Sequence, residues 1–313
     1  MDTLLVTHAA CLGHEVPLGH PEEPGRLRAV LRALEAEDFQ YLQRLEAPRA
    51  SMEAIARVHQ PVYAEWILER MAREGGGRRF LAIDPDTALS AGSREAMLRA
   101  AGAVTAAVDE IAQGRAQNAF CAVRPPGHHA ERMTAMGFCF LNNVAIGAAH
   151  ARAVHGAGRV AVVDFDVHHG NGTQSLFEDD PAFFYASTHQ WPLYPGTGRP
   201  GERGAAGNVV NAVLAPGAGG AELRAAFESE VLPALDEFAP DFLFISAGFD
   251  GHAADPMAQL ELGEEDFAWA TRALMEVAGR RCGGRIVSAL EGGYDLSALA
   301  RSAAAHVRAL MGA

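Results

Sequence analysis

Val160-Ala161-Val162-Val163-Asp164-Phe165-Asp166-Val167-His168-His169-Gly170-Asn171-Gly172 is the stretch that decides how the chain is read. Its first four residues are apolar without interruption, the pattern of a strand buried on both faces of a parallel sheet. The run then passes directly into Asp164, Asp166 and His168 at alternating positions. In extended chain, residues two apart point to one side and lie about 6.6 Å apart at ~3.3 Å rise per residue. Asp166 and His168 can therefore turn onto one ion with modest bending. Carboxylates at the end of a buried strand are costly unless a cation or hydrogen-bond donors compensate them. The competing reading is an aspartate-capped turn before a helix at Gly172.

The same construction recurs elsewhere. Phe242-Leu243-Phe244-Ile245-Ser246-Ala247-Gly248-Phe249-Asp250 is another apolar run ending in an acid, so Asp250 can complete a set with Asp166 and His168. Three protein ligands with an open position is the arrangement of a catalytic zinc; the alternative is that Asp250 only caps a loop. After the apolar run 119–123, Arg124-Pro125-Pro126-Gly127-His128-His129 sets tandem histidines on a proline-stiffened loop. They are acid–base candidates, or simply exposed loop histidines. After 285–289, Glu291-Gly292-Gly293-Tyr294 allows close backbone approach to a ligand. Tyr294 could donate its hydroxyl to a developing oxyanion, or pack as an ordinary loop tyrosine. All of these segments follow apolar runs, and in open α/β sheets the ligand sits beyond the carboxyl ends of the strands. Together they contain the parts that metal-assisted amide hydrolysis needs.

Strands are expected at 4–7, 119–123, 160–165, 183–187, 209–214, 242–246 and 285–289. Helices are expected at 26–35, 62–74, 93–113, 143–155, 221–238, 264–280 and 296–310. The alternation predicts an α/β fold, a parallel sheet with right-handed crossovers and helices on both faces. The triple glycine at 75–77 reads as a loop tip, so residues 1–313 are expected to form a single domain. With 49% hydrophobic and 21% charged residues, the chain can bury a sizeable core. A net charge of -13 with no basic block argues against a nucleic-acid partner and tolerates cationic substrates. All 26 basic residues are arginine, so no side chain of the protein could itself be an acyl-lysine substrate. Cys11, Cys121, Cys139 and Cys282 form no C-x-x-C pair and are expected to be reduced core residues. No apolar run approaches a membrane span, and no basic region precedes Leu4-Leu5-Val6, so no membrane or secretory signal is expected and the expected location is cytoplasmic.

R-P-P-G-H-H at 124–129, G-F-C-F-L-N-N at 137–143, D-F-D-V-H-H-G-N-G-T-Q at 164–174, S-A-G-F-D at 246–250 and E-G-G-Y at 291–294 resemble the histone-deacetylase superfamily. The resemblance covers roughly residues 20 to 310 and leans toward the class II branch and its bacterial relatives, including acetylpolyamine amidohydrolases. It implies an arginase-like parallel sheet and one catalytic zinc held by Asp166, His168 and Asp250. It further implies that His128 pairs with Asp164 and His129 with Asn171. His129, beside a neutral amide, is then the better general base. His128, beside a carboxylate, is the better candidate to stay charged. A structural potassium would involve Asp164, Ser187 and carbonyls of Asp166, His168 and Thr188. A second potassium would involve carbonyls near Phe177, Asp180 and Phe183. Gly137, Phe138 and Tyr194 match the wall of an acyl-lysine channel, with Tyr194 where phenylalanine is more usual. Arg26, in H-P-E-E-P-G-R, resembles an arginine below the metal near an acetate-release pocket. Asp84 matches the rim position that grips the substrate backbone, with Asp86 as its competitor.

Met257 aligns with a gatekeeper that polyamine-selective relatives fill with glutamate. A neutral thioether there favours acyl-lysine peptides or proteins over acetylpolyamines. A ureohydrolase of the arginase type would need carboxylates at Gly170 and His252, and has neither. A non-catalytic binding module is the reading from another class, and it must explain why the ligands, both histidines and Tyr294 are all present.

Overall fold

The computed structural model describes residues 2–312. Eight parallel strands form one sheet in the order β2-β1-β5-β10-β9-β6-β7-β8. They are β1 (Thr3–Thr7), β2 (Gln43–Glu46), β5 (Asn118–Cys121), β6 (Val160–Asp164), β7 (Phe183–Gln190), β8 (Val209–Leu214), β9 (Phe242–Ala247) and β10 (Ile286–Leu290). Every residue of β5, β6, β7, β9 and β10 is buried, as suits central strands of a parallel sheet covered on both faces. The expected strands are all present. β2 was not expected: Gln43-Arg44-Leu45-Glu46 is polar and largely exposed because it forms the sheet edge, where charge discourages further pairing. A short antiparallel pair, β3 (Leu81–Ala82) with β4 (Ala88–Leu89), lies outside the sheet.

Around the sheet lie α1 (Gly25–Ala33), α2 (Met52–Ala56), α3 (Pro61–Glu74), α4 (Ser93–Ala112), α5 (Asn143–His155), α6 (Asn171–Phe177), α7 (Gly220–Ala226), α8 (Leu232–Phe238), α9 (Glu264–Cys282) and α10 (Leu296–Leu310). The helix expected at 221–238 is present but passes through a π-helical turn, Phe227–Val231, between α7 and α8. α4 and α5 pack together against β1, β5, β6, β9 and β10, whereas α9, α10 and α1 form a second group touching β5 and β9. The sheet is therefore covered on both faces and one connected apolar core surrounds it. α5 begins with Asn142 capping the Ala145 N–H and ends on Gly156 in the left-handed conformation, so both its boundaries are set by local chemistry. No helix among the described residues is long and apolar enough to cross a membrane.

In the middle of the sheet, β5, β10, β9, β6 and β7 are consecutive neighbours. Their carboxyl ends form one rim. Asp164 at the end of β6 lies in register with Ser187 on one side and Ser246 on the other.

Candidate active site

The rim brings Asp166, His168 and Asp250 together: their ligand atoms lie within 4.8 Å of one another and all three residues are buried. His168 Nδ1 is 3.1 Å from Asp166 Oδ1 and 3.1 Å from Asp250 Oδ2. Backbone N–H groups steady the carboxylates: Gly292 donates to Asp166 Oδ2 at 2.8 Å and Val167 to Asp250 Oδ1 at 3.0 Å. Two buried carboxylates facing one imidazole create a strong demand for positive charge. Burial alone would depress His168, yet hydrogen bonds to Asp166 and Asp250 hold its pKa up at about 10. A carboxylate at position 170, as a second metal would require, has no room, because even a Cβ there would overlap Asp164 and the Tyr185 hydroxyl. His252 is engaged by the Ala254 N–H at 3.0 Å.

The tandem histidines follow β5. His128 Nδ1 lies 3.0 Å from Asp164 Oδ2, and His129 Nδ1 lies 2.8 Å from Asn171 Oδ1. Asn171 Nδ2 donates to Glu131 Oε1 at 2.8 Å, which turns its oxygen toward His129. His129 Nδ1 is therefore the donor in that pair, and Nε2 keeps the free lone pair. Burial, then the charges of His128 and His168, push His129 well below the ordinary histidine range. For His128, burial is overridden by the carboxylates of Asp166 and Asp164, and its pKa rises to about 10. The loop is clamped by Glu291, whose Oε2 accepts from Gly127 N at 2.7 Å and His128 N at 3.2 Å.

Above this group is a cavity of about 190 Å³. His128, His129, Gly137, Phe138, Tyr194, Met257 and Tyr294 line it. Gly137, at φ 55°, lies so close to the His129 ring that any side chain would collide with it. Phe138 takes the left-handed conformation at φ 67° and meets Tyr294 edge-on at 6.0 Å. The Tyr194 ring stands edge-on to His129 at 5.2 Å. Tyr294 is anchored through its backbone, its N–H donating to Asp255 Oδ2 at 2.6 Å, while its hydroxyl makes no hydrogen bond among the described residues. Burial, with the nearby carboxylates, raises Tyr294 well above the ordinary phenol range, so the hydroxyl keeps its proton. A wider groove of about 870 Å³, beside Arg57, Arg132 and Arg152, is lined by Phe177, Asp180 and Phe183 but by none of the residues expected to bind zinc or act in catalysis.

Three of the expected sites stand outside the lining of this cavity. Asp86, not Asp84, lines the cavity; Asp84 Oδ1 instead accepts from Asp86 N at 3.0 Å and Thr87 N at 2.6 Å, closing the turn between β3 and β4. Arg26 does not reach the cavity. It is fully buried, bonded to Glu22 Oε1 at 2.9 Å and to the carbonyls of Gly293 and Glu291, with its guanidinium 4.8 Å from the Tyr294 ring. The carbonyls of Phe177, Asp180 and Phe183 do converge, but on the side-chain amide of Asn208.

Glu22, Glu131 and Asp255 escaped sequence reasoning, and Glu291, the first residue of E-G-G-Y, was given no role of its own. Glu22 binds Arg26 four positions on and Arg124 across 102 positions inside the core, at 0% exposure, and no local pattern announces the second partner. Asp109, His150 and His155 form a second, half-buried histidine–carboxylate group at the ends of α4 and α5, with Arg57 on the far nitrogen of His150. The four free cysteines are buried.

Residues 20–310 match the model of the histone deacetylase domain. An uncharacterized protein of Synechocystis is 41% identical over 98% of this chain and 99% of its own. The human polyamine deacetylase HDAC10 is 40% identical over 100% of this chain and 48% of its own. The crystal structure of the HDA15 HD domain superposes with a TM-score of 0.92 at 34% identity, covering 99% of this chain and 88% of that one. Sheet order, rim chemistry and full-length similarity agree: the chain belongs to the histone deacetylase family.

Proposed function

We propose that the chain, acting as one domain over residues 1–313, is a zinc-dependent amidohydrolase that cleaves the acyl amide of N-acyl-lysine on peptides, proteins or small molecules, releasing a carboxylate and a free amine. The observation that carries this reading is the convergence of Asp166, His168 and Asp250 directly beneath a narrow cavity walled by His129 and Tyr294. Two carboxylates and an imidazole form a donor set that suits one zinc with an open position. Zinc held there would act as a Lewis acid on the amide carbonyl and make an attacking water more acidic.

The chain's own groups supply the remainder. His129 Nε2, neutral and unshared, is placed to take the proton of the attacking water. His128, held charged by Asp164 and Asp166, stabilises negative charge as it develops. The Tyr294 hydroxyl is the free donor for the carbonyl oxygen as it becomes an oxyanion. Phe138 and Tyr194 flank the slot where an unbranched acyl-lysine arm would lie, and Asp86 at the cavity is placed to accept from a substrate N–H. Asp164, Ser187 and the carbonyls of Asp166, His168 and Thr188 are an oxygen-only set fitted to a structural potassium; those of Asp166 and His168 accept no hydrogen bond among the described residues. Location in the cytoplasm, and action away from nucleic acid and membranes, belong to the same proposal.

Acetylpolyamine deacetylation is the second reading, favoured by the Asp86 carboxylate beside the cavity and by the activity for which the human relative is named. Met257, an uncharged thioether on the cavity wall, favours acyl-lysine. The test is a panel of acetyl-lysine peptides, longer acyl-lysines and acetylated putrescine, cadaverine and spermidine, compared by kcat/KM. Higher kcat/KM for acetylpolyamines would overturn the acyl-lysine assignment, and no turnover of any amide would leave a binding module.

A further inference from the structure

The resemblance drawn from the sequence calls for a second monovalent cation among the carbonyls of Phe177, Asp180 and Phe183. The residues present do not fit one. Asn208 Nδ2 lies 3.0 Å from Phe177 O, 3.2 Å from Asp180 O and 3.0 Å from Phe183 O, occupying the point where these oxygens converge. Two of these carbonyls also accept a backbone N–H: Asp180 N donates to Phe177 O at 3.1 Å, and Phe183 N to Asp180 O at 3.0 Å. A carbonyl oxygen has two lone pairs, so Phe177 and Asp180 have none left for an ion. Asn208 is buried. The NH₂ has two hydrogens, so the longer contact, to Asp180 O, shares a hydrogen with a neighbour; the flipped amide would set Oδ1 against three acceptors, so nitrogen faces this nest while Oδ1 accepts from Ala206 N.

We propose that the Asn208 side-chain amide is a built-in replacement for the second cation, so that the protein needs at most one monovalent ion. The replacement has a clear structural task. Phe177 ends α6, where orphan carbonyls need a donor, and Asp180 and Phe183 lead into β7. Asn208 immediately precedes β8. The amide thus ties the end of α6 to the starts of β7 and β8, and α6 begins at Asn171, the partner of His129. A covalently attached donor does this without an ion that could dissociate. The inference goes beyond the proposed activity and does not depend on the substrate.

The test is rubidium anomalous scattering from crystals of the protein grown in rubidium chloride, together with thermal unfolding in potassium and in choline chloride. No rubidium peak is expected among the carbonyls of Phe177, Asp180 and Phe183. In Asn208→Asp, acceptors would face acceptors. That variant should lose about 5 °C in choline chloride, regain most of it in potassium chloride, and show a rubidium peak at this nest. A rubidium peak within ligand distance of the three carbonyls in the unaltered protein would overturn the inference, whether or not the variant folds. Asn208→Asp that is as stable as the parent in choline would overturn it too.

Discussion

Tyr294 lines the cavity and its hydroxyl has no hydrogen-bond partner among the described residues, so it is free to donate to a bound substrate. Tyr294→Phe should lower kcat by ~10²–10³ with little change in KM, because an oxyanion donor acts only along the reaction path. Bound zinc should be unchanged; near-full kcat would make the tyrosine structural. Asp255 sets where that ring stands. Its Oδ2 accepts from both Tyr294 N at 2.6 Å and Asp295 N at 3.1 Å, and its Oδ1 from Met257 N at 3.0 Å. In Asp255→Asn one oxygen becomes an NH₂ facing N–H groups. Kcat should fall about tenfold for a small displacement of the ring, with stability lower by ~1–3 kcal/mol. Stability lost with kcat intact would reduce Asp255 to a fold residue. Met257→Glu places a carboxylate on the cavity wall and should raise the ratio of polyamine to peptide turnover roughly ten- to a hundredfold. An unchanged ratio would show that position 257 does not read the substrate's charge.

The elements differ in how far the sequence disclosed them. β6, β9 and β10 were readable because a strand buried on both faces must be apolar throughout. β2 was not, because Gln43-Arg44-Leu45-Glu46 is an exposed edge whose only strand property is its pairing with β1. The motif residues of the site follow the carboxyl ends of readable strands, Asp164 itself closing β6, which is why they could be located at all. The groups that brace them were hidden by distance: Glu22 meets Arg124 across 102 positions and Glu291 meets Gly127 across 164. Asp84 and Asp86 differ by two positions in one turn, so alternation could not separate them; the turn hydrogen bonds do. Arg26 shows the element-scale consequence. It projects from α1 and holds the Glu291 and Gly293 carbonyls, fixing the loop that carries Tyr294. Arg26→Met fills similar space but leaves those carbonyls and part of Glu22 unpaired, a loss of about 3 kcal/mol. Its signature should be a lower Tm and kcat with KM nearly unchanged, since the side chain does not reach the cavity. A large rise in KM alone would restore a substrate-binding role.

At the scale of the whole molecule, the formal charge of -13 has a counterpart at the rim, where Asp164, Asp166, Asp250 and Glu291 are all buried near one another. Proteins rarely enclose so many carboxylates without a cation to offset them, and the side chains paired with the ligand carboxylates among the described residues are histidines. The fold therefore gains stability from whatever positive charge it binds at this point. Chelation should remove activity, and zinc should restore it in proportion up to one equivalent per chain. Zinc at a hundredfold excess over its Kd should also stabilise the folded state by about 2.7 kcal/mol, visible as a higher Tm. Asp250→Ala should abolish both effects together, because it deletes a ligand. Asp109→Asn should abolish neither, because that carboxylate belongs to the separate group at the ends of α4 and α5. Activity that saturates only at two equivalents would contradict a mononuclear centre. A zinc-dependent Tm that survives Asp250→Ala but not Asp109→Asn would move the tight site away from the rim, and with it the reading that the sheet's carboxyl edge is where this protein does its chemistry.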